Sequence, residues 1–146
     1  EQSKAIMKYI LQFFYLVLQF TWGAIQNVLG FLLFLKNIRC EHAYYHGAIL
    51  TFHEGDWGGV SLGAFIFING KRGEEYKKTV SVHEYGHTIL GPLYLFVVGI
   101  PSFVWCNNKK CIAYRQEQNK SYYDLYCESW ANRLGEAVTH EEAPHK

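Results

Sequence analysis

From Tyr9 to Leu35 the chain carries no charged side chain. Nothing else in the sequence restricts the fold as strongly. A helix of that length extends about 40 Å, more than the hydrocarbon core of a bilayer at about 30 Å. Lys4 and Lys8 precede the run and Lys36 and Arg39 follow it, as around a membrane helix. Gln12, Gln19, Gln26, Asn27, Gly23 and Gly30 interrupt it. The expectation is one transmembrane helix, kinked near Gly23, with its polar residues turned toward protein. The alternative is an amphipathic helix lying on a membrane or on the rest of the fold. A cleaved signal peptide fits less well, because the run is longer than an h-region and no small-x-small site follows it cleanly. Two positive charges on each flank leave the orientation open. Residues 1–38 are thus read as a hydrophobic membrane-anchoring segment and residues 39–146 as the domain it anchors.

The net charge of +1 leaves no basic excess for a phosphate backbone, which excludes nucleic acid as a main partner. An aromatic content of 17% argues against disorder. A second uncharged stretch, Thr88 to Asn108, is broken by Gly91-Pro92, Gly99 and Pro101. It suits either a buried core helix or a membrane-dipping one from about Leu93 to Ile100.

Ala48–His53 and Val60–Ile68 are rich in β-branched and aromatic residues and flank a turn-rich spacer, so they predict a hairpin or two neighbouring strands. Ala64 to Ile68 is apolar on both faces and should be covered on both sides. Asn69-Gly70 turns the chain. Glu74–Leu90 reads as a helix with acids in its first turn and Gly91-Pro92 at its end. Asn107–Lys120 is polar and expected to be a loop. Ser121–Leu134 reads as a second helix, opened by a capping-box-like Ser121 and Asp124 and stopped at Gly135. His140 to His145 reads as a tail.

Within the first of these helices lies His83-Glu84-Tyr85-Gly86-His87. The i, i+4 spacing puts both imidazoles on one face, one turn apart, where they can share a metal ion. Glu84 is rotated about 100° from His83, so it can act on a water without ligating the ion. At this His and Glu content the pattern arises by chance in about 2% of chains. The plainer alternative is two helix-face histidines making ordinary hydrogen bonds. A catalytic zinc needs a third protein ligand. Position 93, where a metzincin carries a third His, holds Leu93, which excludes that class. After His87 the acids are Glu117, Asp124, Glu128, Glu136, Glu141 and Glu142. Glu128 sits mid-helix among Leu125, Trp130 and Ala131, where a carboxylate needs a partner. It is therefore the expected third ligand, unless it faces solvent.

The pair HEYGH and ESWAN resembles the gluzincin metallopeptidases, with HExxH on one helix and ExxA[DN] on the next. GPLYLF and YYDLYCESWANRLG resemble, more specifically, small membrane-associated HExxH proteins of gut bacteria, over about residues 60 to 135. The resemblance implies a zinc ion held by His83, His87 and Glu128, with Glu84 as general base. It also implies that Asn132, where the family carries an acid, orients a zinc-binding histidine. The amide brings no charge to that task. An edge strand beside the HExxH helix would bind an extended substrate, and either of the two strand segments could serve.

Other candidates are weaker. His42 and His46, with Cys40 nearby, could form a second metal site only if they were helical. His46, His53, Tyr122, Tyr123 and Tyr126 are candidates for stabilising an oxyanion. Cys106 and Cys111 could close a small disulfide loop, and Cys127 reads as a buried thiol.

The sequence thus predicts an α+β chain. An N-terminal membrane helix leads into a small sheet packed on the HExxH helix and the glutamate-bearing helix, forming a zincin-like metal-binding domain. The expected function is that of a membrane-associated, zinc-dependent metallopeptidase of the bacterial cell membrane, with Zn2+ as cofactor and a peptide or protein substrate. The competing expectation is a membrane-bound metal-binding or interaction protein without turnover. An intramembrane protease fits less well, because charges from Lys71 to Lys78 directly precede HEYGH.

Overall fold

The computed structural model describes residues 2–21, 23–90 and 98–145. Among them are six α-helices and one four-stranded sheet, a mixed α+β arrangement. The helix stop expected at Gly91-Pro92, and positions 93–97 of the expected core or membrane-dipping helix, lie outside the described residues.

The N-terminal run is not one helix. It forms α1 (Gln2–Thr21) and α2 (Ala24–Lys36), bent by 93° at the break between them. No single described helix is long and apolar enough to cross a membrane, although the bent pair passes by length and composition together. The break falls near Gly23, where a kink is expected, but it is far sharper than a kink, and Asn27 is buried at the corner. Its side-chain amide donates to the carbonyls of Gln19 (2.7 Å) and Gly23 (3.1 Å), and its oxygen accepts the Ala64 N–H at 2.8 Å. A straight helix would leave these backbone groups differently paired and carry Asn27 away from Ala64. The polar residues of the run do turn toward protein: Gln19 is fully buried and donates to the Thr88 carbonyl, and the Tyr15 hydroxyl donates to Thr88 Oγ1 at 2.8 Å. The opposite faces stay bare, with Tyr9, Phe13, Phe14 and Phe20 all more than 60% exposed.

Four strands follow: β1 (Glu41–Tyr45), β2 (Ala48–His53), β3 (Val60–Leu62) and β4 (Phe65–Asn69). The sheet order is β1-β2-β4-β3. β1 and β2 form a hairpin over His46 and Gly47, both at positive φ. The segment Val60–Ile68 is not one strand. Gly63 turns it at φ +62, so β3 folds back antiparallel on β4, while β2 pairs with β4 in parallel. β4 is covered on both faces, as its composition requires, with Ile66, Phe67 and Ile68 fully buried. Each such side chain contributes roughly 1.5–3 kcal/mol of hydrophobic stabilisation.

α3 (Glu74–Leu90) packs on the sheet and carries HEYGH. α4 (Ile100–Asn107) and α5 (Lys109–Glu117) occupy the segment expected to be irregular from Asn107 onward. The polar composition concealed a helix because Asn108 caps it, accepting the Lys110 N–H at 2.9 Å. The capping box of Ser121 and Asp124 is present, but it closes a short 3-10 turn, Tyr122–Asp124, ahead of α6 (Tyr126–Thr139). Gly135 does not end α6. The helix runs on to a cap at His140, which adopts a left-handed conformation at φ 59.

Among the described residues the most extensive helix pairing joins α3 to α6. A Cβ on Gly86 would lie 1.8 Å from the Ala131 carbonyl oxygen, and one on Gly135 would lie 2.1 Å from that of Val82. Only hydrogen fits at either place. Gly135 is therefore a packing residue, and the two glycines bring the helix of Glu128 against the helix of His83 and His87.

Candidate metal centre

The α3–α6 contact brings together two imidazoles and a carboxylate distant in sequence. His83 Nε2 lies 3.1 Å from Glu128 Oε2, His87 Nε2 lies 3.2 Å from the same oxygen, and the two Nε2 atoms are 3.2 Å apart. Ligand atoms at zinc bond lengths near 2.0–2.1 Å, spread tetrahedrally, stand about 3.3 Å from one another. The triangle is thus close to one face of a tetrahedral coordination sphere. Glu128 is fully buried and His83 nearly so, so the carboxylate that the sequence left as ligand or solvent-facing is not in solvent.

The donor chemistry points the same way. His83 Nδ1 lies 2.6 Å from Asn132 Oδ1. An amide oxygen only accepts, so Nδ1 carries the proton and, in the neutral ring, Nε2 presents a bare lone pair. That lone pair faces a buried carboxylate and a second imidazole. Such a cluster of acceptors needs a cation, either a proton or a metal ion. His83, His87 and Glu128 therefore form a buried group able to hold a metal ion, and the residues fit one.

Glu84 lies beside this group without being part of it. Burial pushes its carboxyl up to about 7, and the Glu128 charge adds to the rise; the His83 charge and a hydrogen bond from Ser61 oppose it. For Glu128, burial also raises the carboxyl, but hydrogen bonds and charge from both imidazoles outweigh it and hold the group well below the usual carboxylate range. Two carboxyls on neighbouring helices are thereby driven in opposite directions.

Glu84 and His87 line a cleft of about 450 Å³, whose walls come from β3 (Val60, Ser61, Leu62), α2 (Gln26), α4 (Ile100, Phe103) and Tyr122. β3 is the sheet edge on this side. Of the oxyanion candidates, Tyr122 alone lines the cleft. Its hydroxyl pairs with Ser102 Oγ at 3.2 Å, and burial, with Glu128 nearby, keeps it protonated far above its ordinary range. Tyr123 packs on the His83 ring. His53 instead pins the 54–59 loop: Nδ1 accepts the Gly55 N–H at 3.1 Å and Nε2 donates to the Gly58 carbonyl at 2.9 Å. His46 packs against Tyr45 and Tyr85, and Tyr126 packs on Trp130. His42, on a strand, pairs with Thr51 and joins no metal cluster among the described residues. Cys106 and Cys111 are free thiols rather than a disulfide, each on its own helix. Cys127 is a buried thiol, pushed up to about 12 by burial and by the adjacent Glu128.

Three participants escaped the sequence. Ser61, beside Glu84 on the cleft wall, opposes the rise of its carboxyl. Gly59 leaves room for that carboxylate, since a Cβ there would lie 2.5 Å from Glu84 Oε1. Arg115, from the unforeseen α5, stands over the Tyr122 ring. No spacing rule links any of them to HEYGH; the Gly58-Gly59 doublet was the only visible hint. Comparisons with protein-family models, with curated proteins and with solved structures find no match.

Proposed function

We propose that this chain is a membrane-associated, zinc-dependent metallopeptidase of gluzincin type, in which Glu84 is the general base. The observation that carries this reading is the triangle of His83, His87 and Glu128 with the buried Glu84 carboxyl beside it on the cleft wall. His83, His87 and Glu128 would hold the zinc ion, which would supply Lewis acidity at the cleft. Glu84 accepts the water proton and hands it to the leaving amine nitrogen. The protonated Tyr122 hydroxyl, on the cleft wall, donates to the oxygen on which negative charge develops. Among the described residues no further strand pairs with the outer edge of β3, and that edge offers main-chain groups to an extended peptide, which β-augmentation places across Glu84 and His87. The bare apolar faces of α1 and α2, bounded by Lys4, Lys8, Lys36 and Arg39, seat the molecule on a bacterial membrane. There α2, through Gln26, forms part of the cleft wall.

The test is Glu84→Gln, assayed on a broad peptide library alongside metal content of the purified protein. The expected outcome is loss of cleavage by at least about 10²-fold with zinc stoichiometry unchanged. Zinc binding without cleavage by the parent would overturn the peptidase reading in favour of a metal-binding protein without turnover.

A further inference from the structure

The C-terminal tail doubles back on α6. His140, in its left-handed conformation, ends the helix, and Glu136 then gathers the tail: its Oε1 accepts the Ala143 N–H at 3.1 Å and pairs with His145 Nε2 at 2.8 Å. Tyr45 adds a hydrogen bond to Glu141 at 3.1 Å, and Ala143 is buried. The result is that the Pro144 carbonyl receives a hydrogen bond from Asn132 Nδ2, while the oxygen of the same amide receives the His83 Nδ1 proton.

We propose that the Pro144 carbonyl is a positioning group of the metal centre, setting which way round the Asn132 amide sits and, through it, the tautomer of His83. An Asn side chain has two orientations, and only one serves here. With the amide reversed, its NH2 would face His83 Nδ1. The ring would then carry its proton on Nε2, aimed at Glu128 Oε2, where it would occupy the place of the metal ion. Reversal would also set Asn132 Oδ1 against the Pro144 oxygen, two acceptors in a buried site, at an energetic cost. A carboxylate at position 132 would present an acceptor in either orientation and would need no such guide. An amide needs a second contact to break its symmetry, and the tail supplies it. Position 132 lies one helical turn before Glu136, so the residue that orients the histidine and the residue that holds the tail share one face of α6.

The proposal rests on the metal-binding reading, and its test separates the two. Zinc affinity is measured by competition with a chromophoric chelator for the parent, Glu136→Ala, Asn132→Asp and the double variant. Glu136→Ala frees the tail without touching a ligand. We expect it to weaken zinc binding about tenfold or more in the parent, and to leave it unchanged or tighten it where Asp replaces Asn132, because the second carboxylate oxygen then faces the Pro144 carbonyl. In the metal-free protein, nitrogen-15 NMR should show the Nδ1–H tautomer of His83 in the parent and a mixture in Glu136→Ala. A chain ending at Glu142, which lacks the carbonyl altogether, should repeat the result and covers the case in which Glu136→Ala folds poorly. An equal loss in both backgrounds would mean that the tail only stabilises α6, and no loss in either would mean that it does nothing at the centre; both overturn the proposal. A parent that binds no zinc overturns the metal centre itself and this proposal with it.

Discussion

Glu84 and Glu128 lie close together and titrate in opposite directions, which gives the metal-free protein a particular pH dependence. The Glu84 carboxyl, raised from 4.5 to about 7, favours the folded state fully below its unfolded value, and that contribution is lost as pH rises toward 7. Glu128, held low by the imidazoles, contributes stability above its unfolded value that is lost as pH falls below it. Relative to Glu84→Gln, the metal-free parent should lose about 3 kcal/mol of stability between pH 4.5 and 7, measured by urea denaturation across that range. A parallel pH course for the two proteins would contradict the burial assigned to Glu84. Gly59 tests the same carboxyl from its other side. Because a Cβ there meets the end of a flexible side chain, Gly59→Ala should reduce kcat severalfold or more through displacement of Glu84. Its thermal stability should change little, and its zinc content not at all.

At the scale of elements, the α3–α6 crossing decides whether there is a centre. Backbone oxygens, not movable side chains, fill the space over Gly86 and Gly135. Neither position can take a methyl group unless the helices move apart. Gly86→Ala should therefore cost about 3 kcal/mol and lower metal stoichiometry, since it pulls Glu128 away from both imidazoles. Denaturant unfolding and metal analysis of the same preparation check both parts. Retained stoichiometry in a destabilised variant would show that Glu128 is not held by this contact.

At the scale of the whole molecule, ion binding and folding are linked. An ion held only by the folded state, at a hundredfold excess over its Kd, adds about 2.7 kcal/mol, which for a chain of this size raises Tm by roughly 5–10 °C. Chelation should reverse the shift, and Glu128→Ala should abolish it, as scanning calorimetry would show. The apolar faces of α1 and α2 make a separate prediction. The parent should float with anionic vesicles, and a triple Phe13→Ser, Phe14→Ser, Phe20→Ser variant should remain in the aqueous fraction with its zinc intact. All three side chains are more than 60% exposed, so their loss removes lipid contacts rather than core packing.

Periodicity and spacing reached as far as local chemistry allows. The start of α3, the double-sided burial of β4 and the placing of His83 and His87 on one face follow from the alternation of residues along the chain, because each is a property of a single element. Glu128 was accessible by elimination, since a carboxylate on an apolar helix face demands a partner. The kink near Gly23 was legible from the sequence, but its sharpness was not, because Asn27 at the corner bonds to Ala64 in the turn between β3 and β4, a partner that nothing local to the helix names. Nor were the helix over Lys109–Glu117, hidden behind a cap and a polar composition, or the true role of Gly135, whose missing side chain acquires meaning only when Val82 lies against it. The same holds for Ser61, Gly59 and Pro144. Each acts on HEYGH or its ligands across a distance in sequence, and contacts of that kind exist only after the chain has closed on itself.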